Sequence, residues 1–509
     1  MQKKTVFITG TTGSMGSAGL KILLSRKDRF DVVTLVRPSK KNKKIMRQYA
    51  ADSALRVIWG DLTNYDDVLK CVTGAHIVLH PAAMIAPEAD HDPALARKIN
   101  VGSIENIVRA IKAQPDPDCI KLVNIGSVAM TGDRLYPIHV GRAGDPFKPS
   151  IYDAYACSKI DAERVVAESQ LKYWVSLRQT FVAIPDTLAL MDPIMFHQPL
   201  DTCIELCTQH DAGLLLANAC EDSVPEEFWR RFYNIGGGAG ARLTFLGLME
   251  RVYGALGLGA PAELTDRNWF ALRNFHCHWF EDSNILNEYL HFQTMGVDEY
   301  IASVLDGSPW FVTLANKPVM RNIARLRWVQ MLIRKFLLQP LAFSFRNSTM
   351  YWVQNELQDR ISAFFKDKQS WQSIPSLWDD IRRPNYRDYQ RLDHGYDESL
   401  GDSELDLSQM QRAALFRGGK CLASSLQAGD LFAPLNWQCW RGHTFTMTPN
   451  AVLKGGHWCP QCEPSRNGWD YDQEARNNPF FAQVWYPNHD LTEANYYAPD
   501  CYLDLVKAL

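Results

Sequence analysis

Long apolar runs are missing from this chain. None reaches the roughly 18 uninterrupted residues that a membrane-spanning helix needs. An excess of one charge is missing too: 54 Lys and Arg stand against 57 Asp and Glu, for a formal net charge of −3. That balance gives no reason to expect nucleic acid as a bulk partner. No internal repeat or low-complexity segment organises the chain. The first apolar run starts at Lys4, which predicts that no signal peptide precedes it. The 12 cysteines are scattered apart from one C-terminal cluster. This fits a reducing, cytoplasmic location better than a disulfide framework. At 509 residues the chain exceeds one compact core, so two or three domains are expected.

What is present begins at once. Lys4 to Ile8 is a short β-branched apolar run, Thr9 to Gly16 a glycine-rich turn, and Ser17 to Ser25 a helical pattern with Leu20, Leu23 and Leu24 on one face. Strand, turn and helix in that order give a glycine fingerprint its meaning: the glycines let backbone approach a pyrophosphate, and the helix N-terminus offers it free N–H groups. The spacing Gly10-x2-Gly13-x2-Gly16 resembles the short-chain dehydrogenase/reductase superfamily in its extended, epimerase-like branch. The resemblance runs over about residues 1–280 and implies an α/β, Rossmann-like doubly wound parallel sheet.

Further strands are read at 31–36, 56–63, 76–83, 121–127, 174–185 and 232–237. At the end of the second, Arg37 stands where an acidic residue would favour NAD, and Ser39, Lys40, Lys41, Lys43 and Lys44 follow. A guanidinium and nearby ammonium groups suit a ribose 2′-phosphate, so NADP is expected, with NAD or a merely solvated basic loop as the alternatives. Gly60-Asp61-Leu62-Thr63 resembles the superfamily motif whose Asp meets the adenine. His80 reads as a structural histidine, and Ala82 and Ala83 leave room for a cofactor. Asn100-Val101-Gly102-Ser103 resembles the family's Asn-Val-x-Gly-Thr and opens the next helix, with Asn100 holding the active-site region together. Tyr155 and Lys159 fall four apart on a helical pattern and share a face. A phenol near pKa 10 is too weak an acid for neutral pH unless an ammonium lowers it. With Ser127 at a strand end, the three resemble the superfamily's catalytic group. The resemblance thus implies catalytic Ser127, Tyr155 and Lys159, and cofactor contacts from Gly10, Thr12, Gly13, Ser14, Met15, Gly16, Arg37, Asp61, Leu62, Ala82, Ala83, Asn100, Tyr155 and Lys159.

Three departures bear on substrate. Thr131 stands where extended members often carry Tyr, Ile184 stands where Gly is usual, and the interval from Pro185 to Tyr233 is short for a sugar-nucleotide site. Arg230, Arg231 and Arg242 could still bind a diphosphate. Met191 to His197 reads as an apolar cap or as core. The expected function is NAD(P)-dependent hydride transfer to or from a carbonyl or secondary alcohol of a small apolar substrate. The alternatives are a sugar-nucleotide epimerase or dehydratase with resident NAD, and a cofactor-sensing scaffold whose zinc module binds a partner. A homodimer through the helices after Asn100 and Asp153 is possible, as in relatives.

The division expected is 1–275 for the cofactor-binding and substrate region, 276–390 for a helical extension, and 391–509 for a C-terminal region. Phe275 to Asp282, dense in His and aromatics, reads as a substrate-facing or packed segment rather than a metal site. Residues 317–366 read as helical, with Arg321, Arg325, Arg327, Arg334, Lys335 and Arg346 of 317–346 set among apolar residues, and Pro340 interrupts them. They read either as a basic amphipathic helix on a membrane surface or, preferred, as a helical subdomain with a solvated basic face. Residues 384–408 read as a linker. Cys439-x3-His443, then Cys459-x2-Cys462, supply three thiolates and an imidazole, a set suited to tetrahedral, structural Zn²⁺. The segment, about 430–468, resembles a zinc-ribbon or treble-clef module, and the tail beyond it is expected to wrap around it.

Overall fold

A computed structural model describes residues 3–185, 192–307, 326–462 and 468–498. Seven strands form one parallel sheet: β1 Lys4–Ile8, β2 Phe30–Val36, β3 Leu55–Trp59, β4 Ile77–His80, β5 Lys121–Ser127, β6 Trp174–Gln179 and β7 Arg231–Ile235. Their spatial order is 3-2-1-4-5-6-7, every pairing parallel. The order reverses between β1 and β4, so their carboxyl ends open a crevice at the switch point, where such sheets bind ligands. The strands are nearly continuous apolar runs because helices cover both faces. Val6, Phe7 and Ile8 of β1 and Val78 and Leu79 of β4 are wholly buried.

The crossover helices are α1 Ser14–Ser25, α2 Lys40–Met46, α3 Tyr65–Val72, α4 Pro93–Lys112, α5 Ala154–Ala167 and α6 Gln209–Asn218. Helix α4 corrects the expected boundary: Asn100 lies inside it. Asp92 caps the helix by accepting from the Leu95 N–H, and Pro93 sits at its first position, a stronger start signal than any at Asn100. After β6, residues 182–183 leave the main sheet and pair with 207–208. Helix α7, Phe245–Ala255, is capped by Thr244 and walls the substrate side of the crevice.

Beyond residue 326 the chain is helical as expected, at 327–343, 349–354 and 358–365. Residues 317–325, with Arg321 and Arg325, lie outside the described residues, as does Met191. Pro340 does not end its helix. Residues 334–338 widen into a π turn instead, which absorbs the missing N–H of the proline.

Residues 384–408 form a strap, tied down along its length. Arg142 holds the Glu398 carboxylate with both terminal nitrogens, at 2.5 and 2.7 Å, and His394 lies buried between Asp145 and Glu398, at 2.9 and 3.0 Å. Three short antiparallel strands, β8 Lys420–Cys421, β9 Leu435–Gln438 and β10 Thr444–Met447, follow. The C-terminal segment reaches past this small sheet. Trp469, Tyr471, Phe481 and Trp485 share a core with Tyr152, Phe196 and Trp269, and the Tyr471 hydroxyl donates to the Pro149 carbonyl.

Candidate active site

The turn after β1 is built around close approaches. Gly10 has φ +64°, and a Cβ there would press on Ala82 at 3.0 Å. A Cβ on Gly16 would fall 2.3 Å from the Gly10 carbonyl oxygen. These two glycines serve the turn itself. Gly13 is different: its φ of −98° suits any residue, and its Cβ would meet only the Gly10 oxygen at 3.4 Å. Gly13 caps α1 without a side-chain acceptor, so the first-turn N–H groups at Ser14, Met15 and Gly16 are left for whatever lies in front. That open cradle at a helix N-terminus fits a diphosphate.

In front lies a cavity of about 1380 Å³. Gly10, Thr12, Gly13, Ser14, Met15, Gly16, Arg37, Asp61, Leu62, Ala82, Ala83, Ser127, Tyr155 and Lys159 all line it. Arg37, Ser39, Lys41 and Asn42 rim the end nearest β2, and no carboxylate stands at the β2 terminus. Asp61 commits one carboxylate oxygen to the Thr63 N–H and hydroxyl, each at 2.8 Å, which orients the group at the cavity wall.

Asn100, grouped with the cofactor contacts above, lies behind the wall. Its amide accepts from the Met84 N–H at 2.7 Å and donates to the Met84 carbonyl at 2.9 Å and to Ser158 Oγ at 2.8 Å. It therefore pins the loop after β4 to the helix that carries Tyr155. His80 is buried between Thr9 Oγ1 at 3.0 Å and Ser103 Oγ at 3.2 Å. Burial and the nearby Lys159 push it down to about 3, so it is a neutral structural histidine.

Ser127 ends β5, and Tyr155 and Lys159 occupy successive turns of α5, whose start Asp153 caps. The phenol is not lowered in the way expected from Lys159. Burial pushes Tyr155 up to about 12 against the pull of its hydrogen bond to Ser127. Burial also pushes Lys159 down to about 8, while Glu163, one turn on, holds it up. At neutral pH the phenol keeps its proton and the ammonium is still charged. The buried phenol is thus a weaker acid than a free tyrosine, and it stands beside the Ser127 hydroxyl and the Lys159 ammonium.

The far end of the cavity is largely apolar: Phe181, Ile184, Ile194, Met195, Phe245, Leu248, Met249, Val252, Leu256, Ile333 and Leu338 line the cavity, with Asp192, Gln198 and Tyr253 among them. The apolar cap read at 191–197 is thus split, with Ile194 and Met195 facing the cavity and Phe196 in the core. None of the three candidate diphosphate arginines reaches it. Arg231 pairs with Asp402 at 2.6 Å, Arg242 with Glu205 at 2.7 Å, and Arg230 lies over Phe432. Thr131 is buried, bonded to the Val128 carbonyl and His278. Among the described lining residues, the cationic side chains are Arg37, Lys41 and Lys159, with His276 the one imidazole.

His276 is the site residue left open by sequence reasoning. It lies between Asn274 at φ +73° and Cys277 at φ +125°, and its Nδ1 is 3.5 Å from Asp153 Oδ2. A cysteine rarely adopts such a φ, and strain of this kind collects at functional sites. Its neighbours do not gather for a metal: His278 bonds Thr131 and the Trp279 carbonyl, and Asp282 bonds the Ala143 N–H and Asn234.

The four C-terminal ligand candidates do come together. The turn between β9 and β10 carries Cys439 and His443, with Gly442 at φ +84°. A second tight turn carries Cys459 and Cys462. All four donor atoms lie within 4.8 Å of one another, with Cys439 Sγ to Cys462 Sγ at 3.6 Å and His443 Nδ1 to Cys459 Sγ at 3.8 Å. Thiolates on a tetrahedral ion with bonds of about 2.3 Å sit roughly 3.8 Å apart, so three thiols and an imidazole at these spacings are a donor set suited to Zn²⁺.

This module is locked to α5. The buried Glu163 carboxylate accepts from Arg178 at 2.7 and 3.2 Å, from Ser176 at 2.7 Å and from His457 at 3.1 Å. Arg178 also donates to the Gly455 carbonyl at 2.5 Å.

Residues 6–183 match the model of the "NAD dependent epimerase/dehydratase family", so the N-terminal part carries a domain of that family. The mouse 3 beta-hydroxysteroid dehydrogenase type 7 is 25% identical over 169 residues, which cover 32% of this chain and 43% of that protein. A UDP-glucose 4-epimerase of Rickettsia bellii is 32% identical over 140 residues, 27% of this chain and 39% of the relative. The chain therefore spans less than half the length of these curated relatives. A solved dTDP-glucose 4,6-dehydratase from Bacillus anthracis, in complex with NAD, aligns with 63% of this chain and 100% of its own at 13% identity and a TM-score of 0.48.

Proposed function

We propose that this chain is an NADPH-dependent reductase, or the reverse dehydrogenase, acting on the carbonyl or secondary alcohol of an apolar substrate. The observation that carries this reading is the pairing of a proton-bearing Tyr155 beside Ser127 and Lys159 with a substrate end lined by aliphatic and aromatic side chains. The cofactor would lie across Gly13 and the α1 N-terminus, with Asp61 at the adenine and Arg37 and Lys41 at a 2′-phosphate. When bound, it supplies or accepts the hydride at the substrate carbon. The residues do the rest. Ser127 holds the substrate oxygen, Tyr155 donates its proton there, and Lys159 steadies the phenolate that results. Apolar walls exclude water and select by shape.

The steroid dehydrogenase named above favours the apolar reading, and the Rickettsia epimerase the rival in which resident NAD serves a nucleotide sugar. A nucleotide sugar needs cationic partners for its diphosphate, and among the described lining residues the substrate end has no Arg or Lys beyond Lys159, while Asp192 there is a carboxylate. The cysteine–histidine set is proposed as a structural zinc site. Denaturing the gently purified protein and identifying the released nucleotide and metal tests all three points. The reading expects little retained nucleotide, tighter rebinding of NADPH than NADH, and one zinc per chain. Stoichiometric, non-exchanging NAD would overturn it in favour of the epimerase or dehydratase.

A further inference from the structure

The helix over Arg327–Phe343 has two unlike faces. The inner face is anchored: Gln330 donates to Glu263 at 2.6 Å, Arg334 to Asp266 at 2.5 Å, and Leu338 and Ala342 are buried. The same face, through Ile333, Leu337 and Leu338, closes the apolar end of the cavity. On the outer face Trp328, Met331 and Phe336 are 55, 61 and 69% exposed. They stand three and five residues apart, on the side away from the anchors. Water gains nothing from such a stripe, and a contiguous exposed apolar face signals a contact. Exposed Lys335 shares that face, one turn after Met331, exposed Arg327 and Arg346 lie near its two ends, and the chain has no Asp or Glu between Asp306 and Glu356. The exposed face thus carries apolar side chains alongside the basic ones expected from sequence.

We propose that this helix lies in the surface of an anionic lipid bilayer, with Trp328, Met331 and Phe336 among the acyl chains and Arg327, Lys335 and Arg346 at the headgroups. Because its inner face walls the cavity, an apolar substrate would enter from the lipid beneath it. The docking stands on the helix alone, and the entry route rests on the function proposed above.

Flotation of the full chain with vesicles tests the docking without any turnover. The protein should float with phosphatidylcholine–phosphatidylserine vesicles and much less with phosphatidylcholine alone. Trp328→Glu/Met331→Glu/Phe336→Glu should lower flotation at least tenfold while NADPH still binds. Phe336→Ser serves if the triple variant does not fold. Arg327→Gln/Lys335→Gln should abolish the preference for anionic vesicles. Absence of flotation, or equal flotation by the apolar variant, would overturn the docking. So would a wild-type dimer that the apolar variant turns into a monomer with neither binding vesicles, because a second copy would then cover the stripe. Turnover of a water-soluble ketone by a protein that floats, with no gain for a bilayer-dissolved one, would overturn the entry route alone.

Discussion

Replacing Glu163 by Gln keeps the side-chain shape and removes the charge at the junction of the cofactor domain and the C-terminal module. Glu163, Arg178 and His457 are all essentially inaccessible to water. Burial alone would raise the carboxyl, yet Arg178, followed by the His457 hydrogen bond, holds it down at about 2 against an ordinary 4.5. By linkage that difference corresponds to roughly 3 kcal/mol of stability. Removing one partner of a buried pair commonly costs about 3–5 kcal/mol, because the other charge is stranded. The folded value lies below the unfolded one, so the contribution is complete above pH 4.5 and is lost as the pH falls toward 2. Glu163→Gln should therefore be about 3 kcal/mol less stable than wild type in urea at neutral pH, with the gap narrowing steadily in acid. A gap under about 1 kcal/mol at pH 7, or one that does not change with pH, would refute the reasoning.

The remaining predictions concern the cofactor and metal. Gly13→Ala should leave the melting temperature unchanged and weaken NADPH binding, whereas Gly16→Ala should lower the melting temperature, since only the second Cβ collides with backbone; thermal melts and nucleotide titration separate the two. Arg37→Ala should weaken NADPH roughly tenfold or more, the worth of one charge-assisted contact, and leave NADH nearly untouched; equal losses would show that Arg37 reads no phosphate. With Lys159 near 8, reductive kcat/KM should fall as the pH rises through about 8, and a flat profile to pH 10 would exclude the ammonium from the step. Cys459→Ser should reduce zinc below one per chain by elemental analysis and destabilise the C-terminal module, and retention of full zinc would remove Cys459 from the ligand set.

The sheet was legible because its strands are short β-branched runs closed by glycines or small residues, and because Gly10, Gly13 and Gly16 sit between strand and helix. Boundaries were less so. The start of α4 is set by Asp92-Pro93, where capping chemistry decides, and not by the family motif at Asn100. Tyr155 and Lys159 could be paired from spacing and Ser127 added from the superfamily resemblance, but the direction of the Tyr155 shift could not be read, since it depends on burial that only packing supplies. The Glu163–Arg178–His457 junction was out of reach for the same reason: it joins residues almost 300 positions apart. Asn274 belongs to a residue type that tolerates positive φ, but Cys277 carries no sequence signal for its own, so His276 could be noted within a substrate-facing or packed segment but not singled out. The exposed apolar stripe was hidden because Trp328, Met331 and Phe336 look from sequence like any core-facing helix positions.

The central claim is that this site moves a hydride with Tyr155 as the proton donor, and it is tested most directly by nicotinamide absorbance. Wild type and Tyr155→Phe would be compared in NADPH oxidation by a panel of lipophilic ketones, after showing that both bind NADPH equally. The account predicts turnover by wild type with NADPH and a loss of at least about 100-fold in kcat for the variant. Undiminished turnover by Tyr155→Phe would contradict it.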